Sequence, residues 1–178
     1  MSSFYSVNEL AELGLKSYGS NVLISKKCSL YSPQNIVIGD NVRIDDFCIL
    51  SGTITIGSYV HIAAYCVLYG ANGIEIQDNS GLSARCTLYS QTDDFSGEFL
   101  LGVQFDENQR NIIGGKILIE QFCQIGANCV ILPQIVIHEG VAVGALSLIN
   151  KSLSSWSLYG GIPIRKLKDR SRNMLNLL

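Results

Sequence analysis

At 178 residues, 47% hydrophobic and only 16% charged, the chain has the length and composition of one well-buried domain with short appendages. A formal net charge of -2 offers no basic field to a phosphate backbone, so nucleic acid is not an expected partner. The opening MSSFYSVNEL lacks a basic region ahead of an apolar stretch, and no run of about 18 apolar residues occurs; no secretion signal or membrane span is expected, and the cytoplasm is the default location.

Residues 1–17 predict a short N-terminal cap helix, with Ser6 and Glu9 at capping-box spacing, Leu10 and Leu13 on one face and Gly14 as a stop. From 18 to 154 the chain is periodic. A faint beat at Tyr18, Ile24 and Leu30 becomes a strong one, with a large aliphatic every sixth residue at Ile38, Ile44, Leu50, Ile56, Ile62 and Leu68. After a two-residue slip it continues through Ile76, Leu82 and Leu88. It then resumes at Ile119, Ile125, Ile131, Ile137, Val143 and Ile149.

Ile-x-Ile pairs at 36/38, 54/56, 74/76, 117/119 and 135/137 mark every third hexad, and alternating apolar and polar residues indicate short half-buried strands. Three sixes per turn describe an all-β solenoid of about six triangular coils, with Gly39, Gly57, Gly126 and Gly144 expected to relieve strain at the turns. The fifth residue of each hexad is small or medium. All six cysteines (28, 48, 66, 86, 123 and 129) fall there, which makes them compact core filler and not bridges. Metal is not expected either, because there is no CxxC and the only histidines, His61 and His138, are far apart.

The beat is broken by residues 93–116, an insertion beginning with Asp93 and Asp94. Its three phenylalanines, Phe95, Phe99 and Phe105, predict a packed arm, since a long insertion in a compact domain is functional or disordered. Residues 155–178 close the chain. Pro163 followed by Ile164, Leu167, Met174 and Leu178 against Lys166, Lys168, Arg170 and Arg172 predicts an amphipathic C-terminal helix.

The stretch ILIEQFCQIGANCVILPQIVIHEGVAVGALSLINKSL, with the later YGGIPIRKLK, resembles the last coils and tail signature of the hexapeptide-repeat acyltransferases of left-handed β-helix fold. The likeness is closest to the maltose and galactoside acetyltransferases and the sugar acetyltransferases of surface-polysaccharide pathways. It implies a homotrimer with active sites between subunits, acetyl-CoA as acyl donor, and a sugar or nucleotide-sugar acceptor. The pantetheine arm would run beside Gly126, Ala127, Gly144, Ala145 and Ser147. The adenine end would meet Lys151, Pro163 and Arg165, and a 3′-phosphate there needs the cations that Lys151, Arg165, Lys166 and Lys168 supply.

Acyl transfer requires a group to take the nucleophile's proton and donors for the tetrahedral oxyanion. In the maltose and galactoside branch a histidine directly after the hexad before the arm is the base, and here LYSQTD places Asp93 in that position. Asp93 or Asp94 could serve instead, His61 could supply an imidazole from a neighbouring coil or subunit, or positioning alone could suffice. The missing histidine slightly favours an amine acceptor. It also leaves open a catalytically silent trimeric scaffold, whereas a zinc carbonic anhydrase on this fold would need three histidines.

Overall fold

The structure is a computed structural model describing residues 3–177. It is a left-handed parallel β-helix of about 7 turns. The sequence count of six coils falls short because the last turn, carried by Leu153 and Tyr159, begins four residues after Ile149 instead of six but still pairs with Ile137 and Val143. Each turn contributes three short strands, and strands of successive turns stack in register as three flat faces. The first face runs through Tyr18, Ile38, Ile56, Ile76, Ile119 and Ile137. The second runs through Ile24, Ile44, Ile62, Leu82, Ile125 and Val143, and the third through Leu30, Leu50, Leu68, Leu88, Ile131 and Ile149.

From the strong beat at Ile38 onward, these leading residues are buried and form one core. Each is worth about 1.5–3 kcal/mol of burial, and the stacking supplies ladder hydrogen bonds to neighbouring turns. Pairing is between turns and not between adjacent strands, so losing one hexad breaks two ladders.

The turns are not built as expected. Gly39, Gly57, Gly126 and Gly144 do not have positive φ; the left-handed residue is two positions further on, at Asn41 (57°), Tyr59 (57°) and Asn128 (58°). Gly39, Gly57 and Gly126 are required by close stacking instead, whereas Gly144 has room for a Cβ. A Cβ on Gly39 would lie 2.7 Å from the carbonyl carbon of Gly57 in the next coil. Bulky side chains in the left-handed region, Phe47 and Tyr65, cost on the order of 1 kcal/mol each. Their rings stack at 5.0 Å, with Lys27 over one and Arg85 over the other.

The cysteines are free, and all but the half-buried Cys28 are buried. Thiols donate to carbonyls of the following coil, as from Cys66 to Ser83 O (3.2 Å) and from Cys86 to Gly126 O (3.1 Å). Burial pushes the Cys123 thiol up to about 12. In native protein, five cysteines are expected to resist a thiol reagent while Cys28 reacts slowly, and all six should label after unfolding. Rapid native labelling of Cys66 or Cys86 would contradict the packing.

Both ends are closed. The cap helix spans Val7–Glu12, and its capping box between Ser6 and Glu9 is formed as the spacing predicts. The expected C-terminal helix is absent, and Arg165–Asp169 forms a strand antiparallel to Ser157–Gly160, followed by a short 3-10 turn at Asn173–Leu177. Ile164 is buried and Leu167 exposed, so the supposed apolar face is not shared. The last coil has an open strand edge, and pairing it outweighs helix propensity. Arg170 completes the closure by donating to Phe122 O (2.8 Å) and Gly140 O (3.0 Å). Leu178, part of that expected helix, lies outside the described residues. No helix among the described residues is long and apolar enough to cross a membrane.

Candidate functional site

The arm leaves the solenoid earlier than the hexad count suggests. The Gly115 amide donates to Ser90 O (2.8 Å), closing the coil behind the arm, while Gln91–Asp93 pairs antiparallel with Ile112–Gly114. Thr92, expected at a fifth hexad position, therefore belongs to this ribbon. Ser90 is fully buried and fixes the junction, its hydroxyl donating to Tyr69 O (2.8 Å) and accepting from the Asn72 amide (2.9 Å).

The two adjacent acids have different surroundings. Asp94 is committed to the arm. It accepts from the Ser96 amide (2.7 Å) and the Asn111 side chain (2.7 Å), which hold its carboxyl below the usual carboxylate range. Asp93, half-buried and opposite Ile112, has no hydrogen-bonding partner for its carboxylate among the described residues.

His61 lies on the second face, in the outward row Arg43, His61, Gly81, Gln124. Its Nε2 donates to Asp45 Oδ2 (2.8 Å), and Arg43 Nε donates to the other oxygen (2.7 Å). Burial works against the Asp45 charge, but these bonds outweigh it and hold the carboxyl low. The third face separates His61 from Asp93, so one chain does not bring them together.

The residues expected along the donor divide similarly. Gly126 and Ala127 stack against Gly144 and Ala145 at the corner between the second and third faces. Ser147 is not available as a surface ligand, because it is buried and its hydroxyl donates to Gly144 O (2.7 Å) and accepts from the Gly161 amide (2.9 Å). Lys151 and Arg165 are exposed and form no ion pair among the described residues, whereas Lys166 is paired with Asp169 at 2.7 Å. Pro163 follows Ile162 through a cis peptide in the loop before Arg165.

Sequence reasoning missed Ser83, one residue beyond the inward Leu82, whose hydroxyl accepts from Gln124 Nε2 (3.2 Å). It shares the corner that carries Gly126 and Gly144 on later coils. Its second place in the hexad, held by Ala63 on the preceding coil and by Gly126 and Gly144 on the following ones, was the available signal.

Residues 35–70 match the family described as bacterial transferase hexapeptide (six repeats). A dTDP-4-amino-4,6-dideoxy-D-glucose acyltransferase of Escherichia coli is 38% identical over 172 residues, covering 95% of this chain and 90% of that one. The N-acyltransferase AntD of Bacillus cereus, solved with dTDP and coenzyme A, is 51% identical with a TM-score of 0.97, over 99% of this chain and 95% of that chain. AntD has also been solved with dTDP-4-amino-4,6-dideoxyglucose and coenzyme A, and with dTDP and 3-hydroxybutyryl-CoA. Its solved variants alter one serine and one aspartate ten positions apart. A maltose O-acetyltransferase of Clostridium difficile shares the fold at 20% identity and a TM-score of 0.62.

Proposed function

We propose N-acylation of a nucleotide-linked amino sugar, from the premise that this chain belongs to the hexapeptide-repeat transferase family and is an acyl-CoA-dependent transferase. The observation that carries the proposal is the unpartnered, half-buried Asp93 carboxylate in the position where the O-acetyltransferase branch uses histidine. A hydroxyl must lose its proton as it attacks, which suits imidazole. An amine attacks as the free base and sheds its proton late, which a well-placed carboxylate can accept.

In this reading the sugar nitrogen forms a bond to the thioester carbonyl carbon. The tetrahedral intermediate then collapses with cleavage of the C–S bond, the amine proton passes to Asp93, and the CoA thiolate leaves and is protonated. Ser83 and Asp93 are separated by the ten positions that separate the altered serine and aspartate of AntD. Ala84 and Asp94 have the same separation but no serine.

Within one chain, Ser83 precedes the third-face strand Thr87–Tyr89 and Asp93 follows it. A single small ligand meets both when they come from adjacent copies, and the homotrimer implied by the family resemblance supplies that arrangement. The donor lies along the Gly126–Ala145 corner toward Lys151 and Arg165. Acetyl-CoA is the simplest donor, and the product is a building block for surface polysaccharide.

The test pairs acetyl-CoA, and separately 3-hydroxybutyryl-CoA, with two dTDP-sugars that differ only in amine against hydroxyl at one carbon. The expected result is CoA thiol release and an acylated product, identified by mass spectrometry, from the amine alone. Equal acylation of the hydroxyl sugar would overturn N-transfer. No product from any combination would overturn the proposal as a whole.

A further inference from the structure

On the third face, the outward residues Tyr31, Ser51, Tyr69 and Tyr89 occupy one register position on successive coils. The Tyr69 and Tyr89 rings stack with centroids 5.5 Å apart and planes at 24°, and remain 40% and 37% exposed. At Ser51 the column of rings is interrupted. The missing ring leaves a gap one strand spacing deep, about 4.8 Å, beside Tyr69. This gap is part of a depression of about 300 Å³ lined by Ser51, Gly52, both tyrosines, Gly70 and Gln91.

The floor is bare for a packing reason. Gly52 has a φ of 93°, and a Cβ on it would lie 2.6 Å from the Gly70 carbonyl carbon; a Cβ on Gly70 would lie 2.8 Å from Thr53 O. The slot is thus held open by backbone contacts and not by a mobile side chain. At its edge the Gln91 amide is exposed, with no hydrogen-bonding partner among the described residues. It offers a donor and an acceptor side by side. Asp93 follows two residues later on the same strand, on the same side and about 7 Å away.

The geometry points to this depression as the seat of the acceptor's nucleobase, a pyrimidine ring lying on Ser51 and stacked against Tyr69, its amide edge read by Gln91. The inference rests on the nucleotide-sugar reading above. It gives the arm strand two duties, since Gln91 holds the base end of the acceptor and Asp93 receives the sugar end across the diphosphate bridge. Stacking tolerates any base, and the Gln91 amide selects those presenting an adjacent carbonyl and N–H.

The experiment titrates the full-length protein with dTDP by calorimetry, with inorganic pyrophosphate as the phosphate-only probe. Tyr69→Ala is expected to weaken dTDP binding by about 5- to 150-fold, the range of base–aromatic stacking, and Tyr89→Ala by less, because Tyr89 only backs the far face of the Tyr69 ring. Tyr69→Phe and Tyr89→Phe should keep it, Ser51→Phe should block it by filling the gap, and pyrophosphate binding should be the same in all. Unchanged dTDP binding in Tyr69→Ala, Tyr89→Ala and Ser51→Phe would overturn the base site while leaving the proposed function standing. A parallel loss of pyrophosphate binding would also overturn it, as would loss in the phenylalanine variants. Wild-type protein that fails to bind dTDP would overturn the proposed function itself.

Discussion

Asp93→Asn is expected to lower kcat for the amino-sugar acceptor by about 10²-fold or more while leaving the KM for acyl-CoA unchanged. The amide keeps the size and polarity of the carboxylate but cannot take a proton, so the loss isolates that role from shape. The deficit should shrink as pH rises, because solvent hydroxide then takes over more of the late proton removal. Asp94→Asn is the matched control. Its carboxylate is occupied by Ser96 and Asn111, so that change should affect the arm's stability before it affects the chemical step. Rates against pH for both variants check the assignment. Wild-type turnover in Asp93→Asn at neutral pH would remove Asp93 from the reaction and turn attention to His61.

The distinction between the two acids was not available from their order in the chain. Both follow a broken hexad and both suit a turn. What separates them is the antiparallel pairing of Gln91–Asp93 with Ile112–Gly114, a contact across the whole arm that no local pattern announces. The same limit applies to the C-terminus. Ile164 and Leu167 read as one helical face, but the deciding quantity is the unpaired edge of the final coil, which the backbone of Arg165–Asp169 satisfies. By contrast the solenoid was legible in detail, because each leading aliphatic answers to one local rule repeated on every coil. Ser83 and the Tyr69–Tyr89 pair were overlooked for the converse reason: they follow the leading aliphatic at a hexad position that holds glycine, alanine, serine, aspartate or tyrosine on different coils, so the beat does not single them out.

The glycines of the expected donor corner separate into two kinds, and the structure predicts different consequences for each. A Cβ on Gly126 would stand 2.5 Å from the Ala145 amide nitrogen and 2.7 Å from Val143 O, both backbone atoms of the next coil. Neither can move without parting the ladder. Gly126→Ala should therefore cost about 1–3 kcal/mol, the usual cost of overpacking, seen as a lower urea midpoint at unchanged m-value. Gly144 faces the final turn, where the chain leaves the hexad beat for the closing strand pair, and its Cβ would meet nothing nearer than Tyr159 O at 3.6 Å. Gly144→Ala should stay within about 0.5 kcal/mol of wild type. Stacking thus accounts for Gly126 whether or not a ligand lies beside it. It does not account for Gly144, so that position is the cleaner probe of the donor path: a raised KM for acyl-CoA at an unchanged urea midpoint is expected. An unchanged KM would remove Gly144 from the acyl-CoA site and shift the path toward Ala145, Lys151 and Arg165.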